Sequence, residues 1–236
     1  RERTDSMKNK NIVVVQNLIR RLPIEVLKDS EVVANLVRAF GLVQWGTNSF
    51  GHDEMFKNPS VDMAGIYQTP MQIAEALVYV SDFKINSYLE VGVFQGGNFL
   101  FCSEYLRRFN PSIQCLGIDI GNHLNPEIKS IIEQEIFLSF KSMTSDKLAG
   151  RGYDLCLIDG DHTAAWIKRD WENVGTYAKI CMLHDIQGPI CPDVVAFWKK
   201  LKEDHPDNTI KECLSYTEKP TQGIGIMHSK KKGVKE

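Results

Sequence analysis

The chain has 236 residues, 43% hydrophobic and 25% charged, with a formal net charge of −2, which suits one α/β domain, or one with a small helical cap. That balance excludes a global basic field for nucleic acid. No apolar run approaches the roughly 18–20 residues of a membrane span, and the charged stretch Arg1–Lys10 does not read as a signal peptide. Six cysteines (Cys102, Cys115, Cys156, Cys181, Cys191, Cys213) lie scattered without a C-x-x-C pair, which excludes a zinc ribbon and points to a reducing, cytoplasmic compartment.

In chain order, Asn11–Leu22 places Ile12, Val15, Leu18, Ile19 and Leu22 at helical spacing until Pro23, and Ile24–Val43 reads as one or two further helices. These precede the sheet and are expected to cap it, with an oligomer interface as one use. From Gln44 to Pro70 the pattern gives way to Gly, Asn, Asp, Pro and aromatics, including Trp45, Phe50, Phe56 and Tyr67. So long a connection reads either as a plain surface loop or as a lid over a binding site. Met71–Val80 is a helix with Pro70 at its start.

The chain then alternates. Strands are expected at Ser87–Val93, Gln114–Ile120, Ile136–Lys141, Tyr153–Ile158 and Lys179–Leu183. Helices are expected at Phe99–Phe109, Pro126–Gln134, Ala164–Tyr177 and Val194–Glu203. Two late strands, Thr209–Leu214 and Gly223–His228, have no helix between them and should pair antiparallel at one edge. Repeated β-α-β with buried apolar strands predicts an α/β fold, a mostly parallel sheet with helices on both faces. Ser229–Glu236 reads as a basic, disordered tail. The division is then 1–70 for cap and lid, 71–228 for the main domain and 229–236 for the tail.

Three constellations carry chemistry. The first runs Glu90-Val91-Gly92-Val93-Phe94-Gln95-Gly96-Gly97, a strand end turning through glycines into a helix. Such a turn puts bare N–H groups and a helix N-terminus at a nucleotide-binding crevice. A dinucleotide fingerprint would read G-x-G-x-x-G. Here Glu90 precedes offset glycines, and a carboxylate there repels pyrophosphate but suits an ammonium. The ligand should carry a cationic amino-acid end, as S-adenosylmethionine (SAM) does; a packing turn with a chance Glu is the alternative.

The second is Asp119-Ile120, where an acid at the next strand end suits a ribose diol, in NAD as well as in SAM. The third is Asp159-Gly160-Asp161-His162, followed one strand on by His184-Asp185. Adjacent strands lie about 5 Å apart, so these groups can converge. Carboxylates with an imidazole suit a hard divalent cation such as Mg²⁺ or Mn²⁺. His162, with an ordinary pKa of about 6.5, suits a general base. The plainer alternatives are that Asp161 caps the following helix and that His184 is only a hydrogen-bonded strand-end residue.

Together, Glu90-Val91-Gly92…Gly96-Gly97, Gly117-Ile118-Asp119, Asp154-Leu155…Ile158-Asp159-Gly160-Asp161-His162 and Gly223-Ile224-Gly225-Ile226 resemble a class I SAM-dependent methyltransferase. The pairing of Asp159–His162 with His184-Asp185 is similar to small-molecule and sugar O-methyltransferases of the macrocin, mycinamicin and cephalosporin-biosynthesis type. The resemblance covers about residues 65–228. It implies a Rossmann-like seven-stranded sheet with the last strand antiparallel. It implies that Glu90 and the Gly92–Gly97 loop (Gly92, Val93, Gln95, Gly96, Gly97) hold the methionine end of SAM. Asp119 and Ile120 would hold the ribose, and Ser142-Met143 would lie beside the adenine. Asp159 with His184 and Asp185 would correspond to a Mg²⁺ site, and His162 to the base. The sequence departs from that pattern in carrying His184 where the family has a second carboxylate, which leaves a softer metal such as Mn²⁺, or no metal, open. A small-molecule acceptor is implied; nucleic acid and membrane are not. The alternatives are an NAD-dependent oxidoreductase, and an RNA-directed or non-catalytic SAM-fold module of a larger, for instance viral, protein.

Overall fold

A computed structural model describes residues 10–41, 66–215 and 222–229. The lid stretch before Ile66 and the tail beyond Ser229 lie outside the described residues. The N-terminal elements are α1 (Lys10–Arg21), α2 (Ile24–Leu27) and α3 (Ser30–Phe40), followed by α4 (Pro70–Val80). The alternating part is β1 (Ser87–Val91), α5 (Gly97–Phe109), β2 (Gln114–Asp119), α6 (Pro126–Gln134), β3 (Leu138–Ser142), β4 (Leu155–Ile158), α7 (Ala164–Asn173), β5 (Ile180–Gln187) and α8 (Pro192–Asp204), closed by β6 (Thr209–Cys213) and β7 (Gln222–His228).

The seven strands run in the order β3-β2-β1-β4-β5-β7-β6. β1 pairs parallel with both β2 and β4, β4 parallel with β5, and β7 antiparallel with both β5 and β6. The expected antiparallel pair therefore exists, with the last strand inserted between β5 and the edge strand β6. Strand order reverses at β1 and β4, and in open α/β sheets ligands bind outside the carboxyl ends at such a point.

Alternation along the strands shows why they read as continuous apolar runs. Tyr88, Leu155, Leu157, Ile180 and Met182 face one core with residues of α1, α3, α4, α5 and α6. Leu89, Cys156, Ile158, Cys181 and Leu183 face the other, with Ile167 of α7 and Val194, Trp198 and Leu201 of α8. Successive side chains point to opposite faces, and both faces are covered, so no position needs to be polar. No helix among the described residues is long and apolar enough to cross a membrane.

Several boundaries differ from the sequence reading, three of them near the carboxyl ends of the strands or in the helix that follows β4. β1 stops at Val91 because Gly92 turns out of the strand at φ +89°. The helix expected over Ala164–Tyr177 ends at Asn173, and Gly175–Tyr177 forms a separate 3₁₀ turn. β5 runs past Leu183 to Gln187, with a bulge against β7 between His184 and Gln187. Asp185 at φ +61° sits in that bulge, and bulges of this kind re-aim side chains.

The N-terminal helices are fixed to the body by a polar contact as well as by Ile12, Val15 and Ile19. Glu104 of α5 is buried and accepts from Gln16 Nε2 at 3.0 Å and from Arg20 Nε at 3.0 Å. Arg20 also reaches Glu135 at 2.6 Å. Removing one partner of a buried pair strands the other charge. Arg20→Ala is expected to cost about 2–4 kcal/mol in chemical denaturation, below the fully buried case because solvent screens Arg20. An unchanged denaturation midpoint would show that the contact holds nothing together.

Candidate active site

A cavity of about 590 Å³ opens where the carboxyl ends of β1, β2, β4 and β5 meet. Its wall includes Glu90, Gly92, Gln95, Gly96, Gly97, Asp119, Ile120, Met143, Asp159, His162, His184 and Asp185. Of the residues expected at a site, Val93 and Ser142 are not on this wall. Val93 is buried in the core, and the Ser142 hydroxyl donates to the carbonyl of Ile120 at 3.2 Å.

The turn after β1 depends on two glycines. Gly92 lies so close to the next strand that a Cβ there would stand 2.1 Å from the Asp159 carbonyl oxygen. Gly96, at φ +92°, begins α5, and a Cβ on it would meet the Ile128 side chain at 2.7 Å. Side chains at either place would collide, and the positive φ adds strain for any residue with a Cβ.

Glu90 is buried, and Asn98 Nδ2 donates to its Oε2 at 3.3 Å, as does the Tyr88 hydroxyl. Oε1 receives no hydrogen bond from the described residues. Burial pushes this carboxyl up to about 8, against the Tyr88 hydrogen bond and with the negative charge of Asp159 adding to it. The positive charge of His184 works the other way but does not offset burial. Asp119 accepts from Phe94 N at 2.7 Å and Gly121 N at 3.2 Å. These bonds fix the carboxylate, and each of its oxygens keeps a second lone pair for a ligand hydroxyl.

The charged cluster stands one strand over. His184 Nδ1 lies 3.0 Å from Asp159 Oδ1 and 3.4 Å from Asp185 Oδ2. His162 Nε2 lies 3.3 Å from Asp185 Oδ2 and 3.6 Å from Asp159 Oδ1. The Cys191 thiol completes the group, 3.4 Å from Asp185 Oδ2. Burial works to raise Asp159, but the charges of His184 and His162 outweigh it and hold the carboxylate well below its usual range. For His184 burial works downward and the two carboxylates win, raising it well above an ordinary imidazole. Hydrogen bonding to Asp159 and Cys191 lifts His162 to about 10. Two carboxylates and two imidazolium groups thus neutralise one another, and His162 is charged near neutrality rather than free to take a proton. The ordinary value assumed from sequence overlooked both carboxylates.

Asp161 does not cap α7, whose N-cap is Thr163 without a side-chain cap bond; its Oδ1 accepts from Thr163 N at 2.8 Å in the turn ahead of the helix. Asp154, at the other end of β4, pairs with Lys179 at 2.6 Å and is remote from the cavity.

Gln68 and Gln222 are wall residues that gave no signal in the sequence, whereas Tyr67 stood among the aromatics of the expected lid stretch. Gln68 Nε2 donates to Asp159 Oδ2 at 2.7 Å. Tyr67 packs edge-on against Phe94 with ring centroids 5.4 Å apart. Gln222, at φ +54°, donates to the carbonyl of Tyr67 at 2.7 Å. Phe94, Asp185 and Gln222 are the non-glycine residues at positive φ among those described, and all three line the cavity. Strained backbone of this kind clusters at functional sites.

No family model matches the chain, and no curated protein matches it at significance. Solved structures do. The citrinin polyketide synthase CMeT domain aligns at 12% identity and TM-score 0.52, over 68% of this chain and 53% of that one, so the chain spans about half of its length. Cofactor-bound Rv0187 from MTB aligns at 14% identity and TM-score 0.50, over 92% and 96%. PH1948 of Pyrococcus horikoshii, assigned as an RNA methyltransferase, aligns at 13% identity and TM-score 0.50, over 87% and 98%. At these identities the likeness is one of fold. The fold is the Rossmann-like one of class I methyltransferases.

Proposed function

We propose that the chain is a SAM-dependent methyltransferase that methylates a hydroxyl group of a small molecule. The observation that carries this reading is one cavity shared by three features. They are a buried carboxyl with one open oxygen (Glu90), a fixed carboxylate placed for a diol (Asp119), and the Asp159–His162–His184–Asp185 cluster beside them. The donor site fits: Glu90 and the Gly92–Gly97 turn would hold the amino-acid end, and Asp119 the ribose, with Met143 and Ile120 along the nucleoside. When bound, SAM supplies a sulfonium-activated methyl group open to displacement by an oxygen nucleophile.

The acceptor lies beside His162, against Trp166, Ile190 and Cys191. Once it has given up its own proton to solvent, His162 receives the proton of the acceptor hydroxyl, and Asp159 and Asp185 hold its ring in place. Holding both reactants in line supplies much of the acceleration, since orientation alone can be worth several powers of ten. With His184 deprotonated, the donor set Asp159, His184 and Asp185 could also hold a divalent cation, its ligating atoms lying within 4.8 Å of one another. Such an ion, Mg²⁺ or Mn²⁺, would supply Lewis acidity toward the acceptor oxygen.

Thermal denaturation with added ligands separates this reading from a nicotinamide-dependent one. S-adenosylhomocysteine at about 100 times its dissociation constant is expected to stabilise the protein by about 2.7 kcal/mol, and NAD to leave it unchanged. Stabilisation by NAD in place of S-adenosylhomocysteine would overturn the assignment.

A further inference from the structure

Gln68 lies two residues before α4 and is 1% exposed. Its Nε2 donates to Asp159 Oδ2 at 2.7 Å. An ionised carboxylate only accepts, so the amide must present its NH₂ to Asp159, and this fixes where Oε1 goes. Oε1 is buried without a hydrogen-bond partner among the described residues. Folded proteins leave few such groups, and each needs a reason. Gln68 lines the cavity, so a bound ligand can supply the missing donor.

The surroundings indicate which donor. His184 and His162 both face Asp159 Oδ1, at 3.0 and 3.6 Å, so Gln68 holds the other oxygen. The neighbouring Tyr67 packs on Phe94 of the turn that follows Glu90. Gln68 therefore belongs to the Glu90–Phe94 side, where an amino-acid end is expected. An ammonium brings three N–H donors, and Glu90 Oε1 is one open acceptor for them.

We propose that Gln68 Oε1 accepts a hydrogen bond from the ammonium group of the bound methyl donor, which makes Gln68 a positioning residue tying that group to Asp159. This rests on the cavity taking SAM, as argued above. A glutamine suits the place better than a third carboxylate beside Asp159 and Glu90, because it accepts without adding negative charge.

Isothermal titration of the full chain with two probes tests it. S-adenosylhomocysteine carries the amino-acid end, whereas 5′-methylthioadenosine shares the nucleoside and lacks that end. Gln68→Met is expected to weaken S-adenosylhomocysteine about 10-fold and to leave 5′-methylthioadenosine unchanged, whatever small fall in melting temperature the lost Asp159 contact brings to the unliganded protein. If Gln68→Met does not fold, Gln68→Ala carries the same comparison. Equal weakening of both probes, or unaltered binding of S-adenosylhomocysteine, would overturn the proposal alone. Wild-type protein that binds neither probe would overturn the methyl-donor reading and this proposal with it.

Discussion

His162→Gln is expected to lower turnover by about 10²–10⁴-fold, the usual worth of a positioned general base, while the affinity for S-adenosylhomocysteine stays within about twofold of wild type. The side chain is 44% exposed at the cavity wall, so its removal should disturb the fold little. The pH profile carries the sharper content. With His162 lifted to about 10 by Asp159 and Cys191, the imidazole is charged at neutrality and must lose a proton before it can accept one. The rate should therefore rise with pH, with a midpoint well above the ordinary 6.5 or so of histidine. A divalent cation held by Asp159, His184 and Asp185 draws the negative charge of those carboxylates away from His162. Adding Mg²⁺ or Mn²⁺ should move the midpoint down, and a chelator should move it up. A profile that is flat from mildly acidic to alkaline pH, or a His162→Gln protein with near-normal turnover, would remove His162 from the proton transfer.

Glu90→Gln should weaken S-adenosylhomocysteine about 10–100-fold, the worth of one hydrogen bond to a charged group. The same change should stabilise the unliganded protein in alkaline solution. The reason is the sign of the linkage. Burial raises Glu90 from 4.5 to about 8 in the folded chain, so the folded state holds this proton more tightly than the unfolded one. Its contribution to stability is complete below 4.5 and is lost as pH climbs from there through about 8. The gap corresponds to on the order of 5 kcal/mol. Glutamine, which cannot ionise, should flatten that slope. A bound ammonium acts oppositely: it favours the carboxylate, so binding between those two pH values should release a proton. Titration calorimetry in two buffers of different ionisation heat measures that release. If Glu90→Gln binds S-adenosylhomocysteine as tightly as wild type, and binding to the wild type releases no proton, then Glu90 does not face the ammonium.

The two predictions concern opposite sides of one cavity, and Asp159 joins them. Its one oxygen meets both imidazoles, and its other meets Gln68. Charge on the acceptor side is thereby tied to the residue that borders the donor side. Gly92 lies against the Asp159 backbone, so the β1 turn and the β4 end cannot separate without a shift of both.

Local rules made much of the fold and part of this site legible in the sequence. Alternating strands and helices imply a parallel sheet. Glycines mark a turn that no residue with a Cβ could make, and acids at strand ends collect at one edge because parallel strands all end there. Glu90, Asp119, Asp159 and His162 are readable for that reason, each one at or just past the end of an apolar run. Rules of this kind involve only neighbours in the chain and the geometry of a strand. The tertiary structure alone decided the rest. Gln68 and Gln222 are 154 positions apart and reach the cavity only because β7 is inserted between β5 and β6 beside the approach to α4. Asp185 points inward through a bulge that exists only in the pairing with β7. The charge on His162 is set by Asp159, Asp185 and Cys191 together, and electrostatic coupling depends on distances in space that no spacing in the chain records.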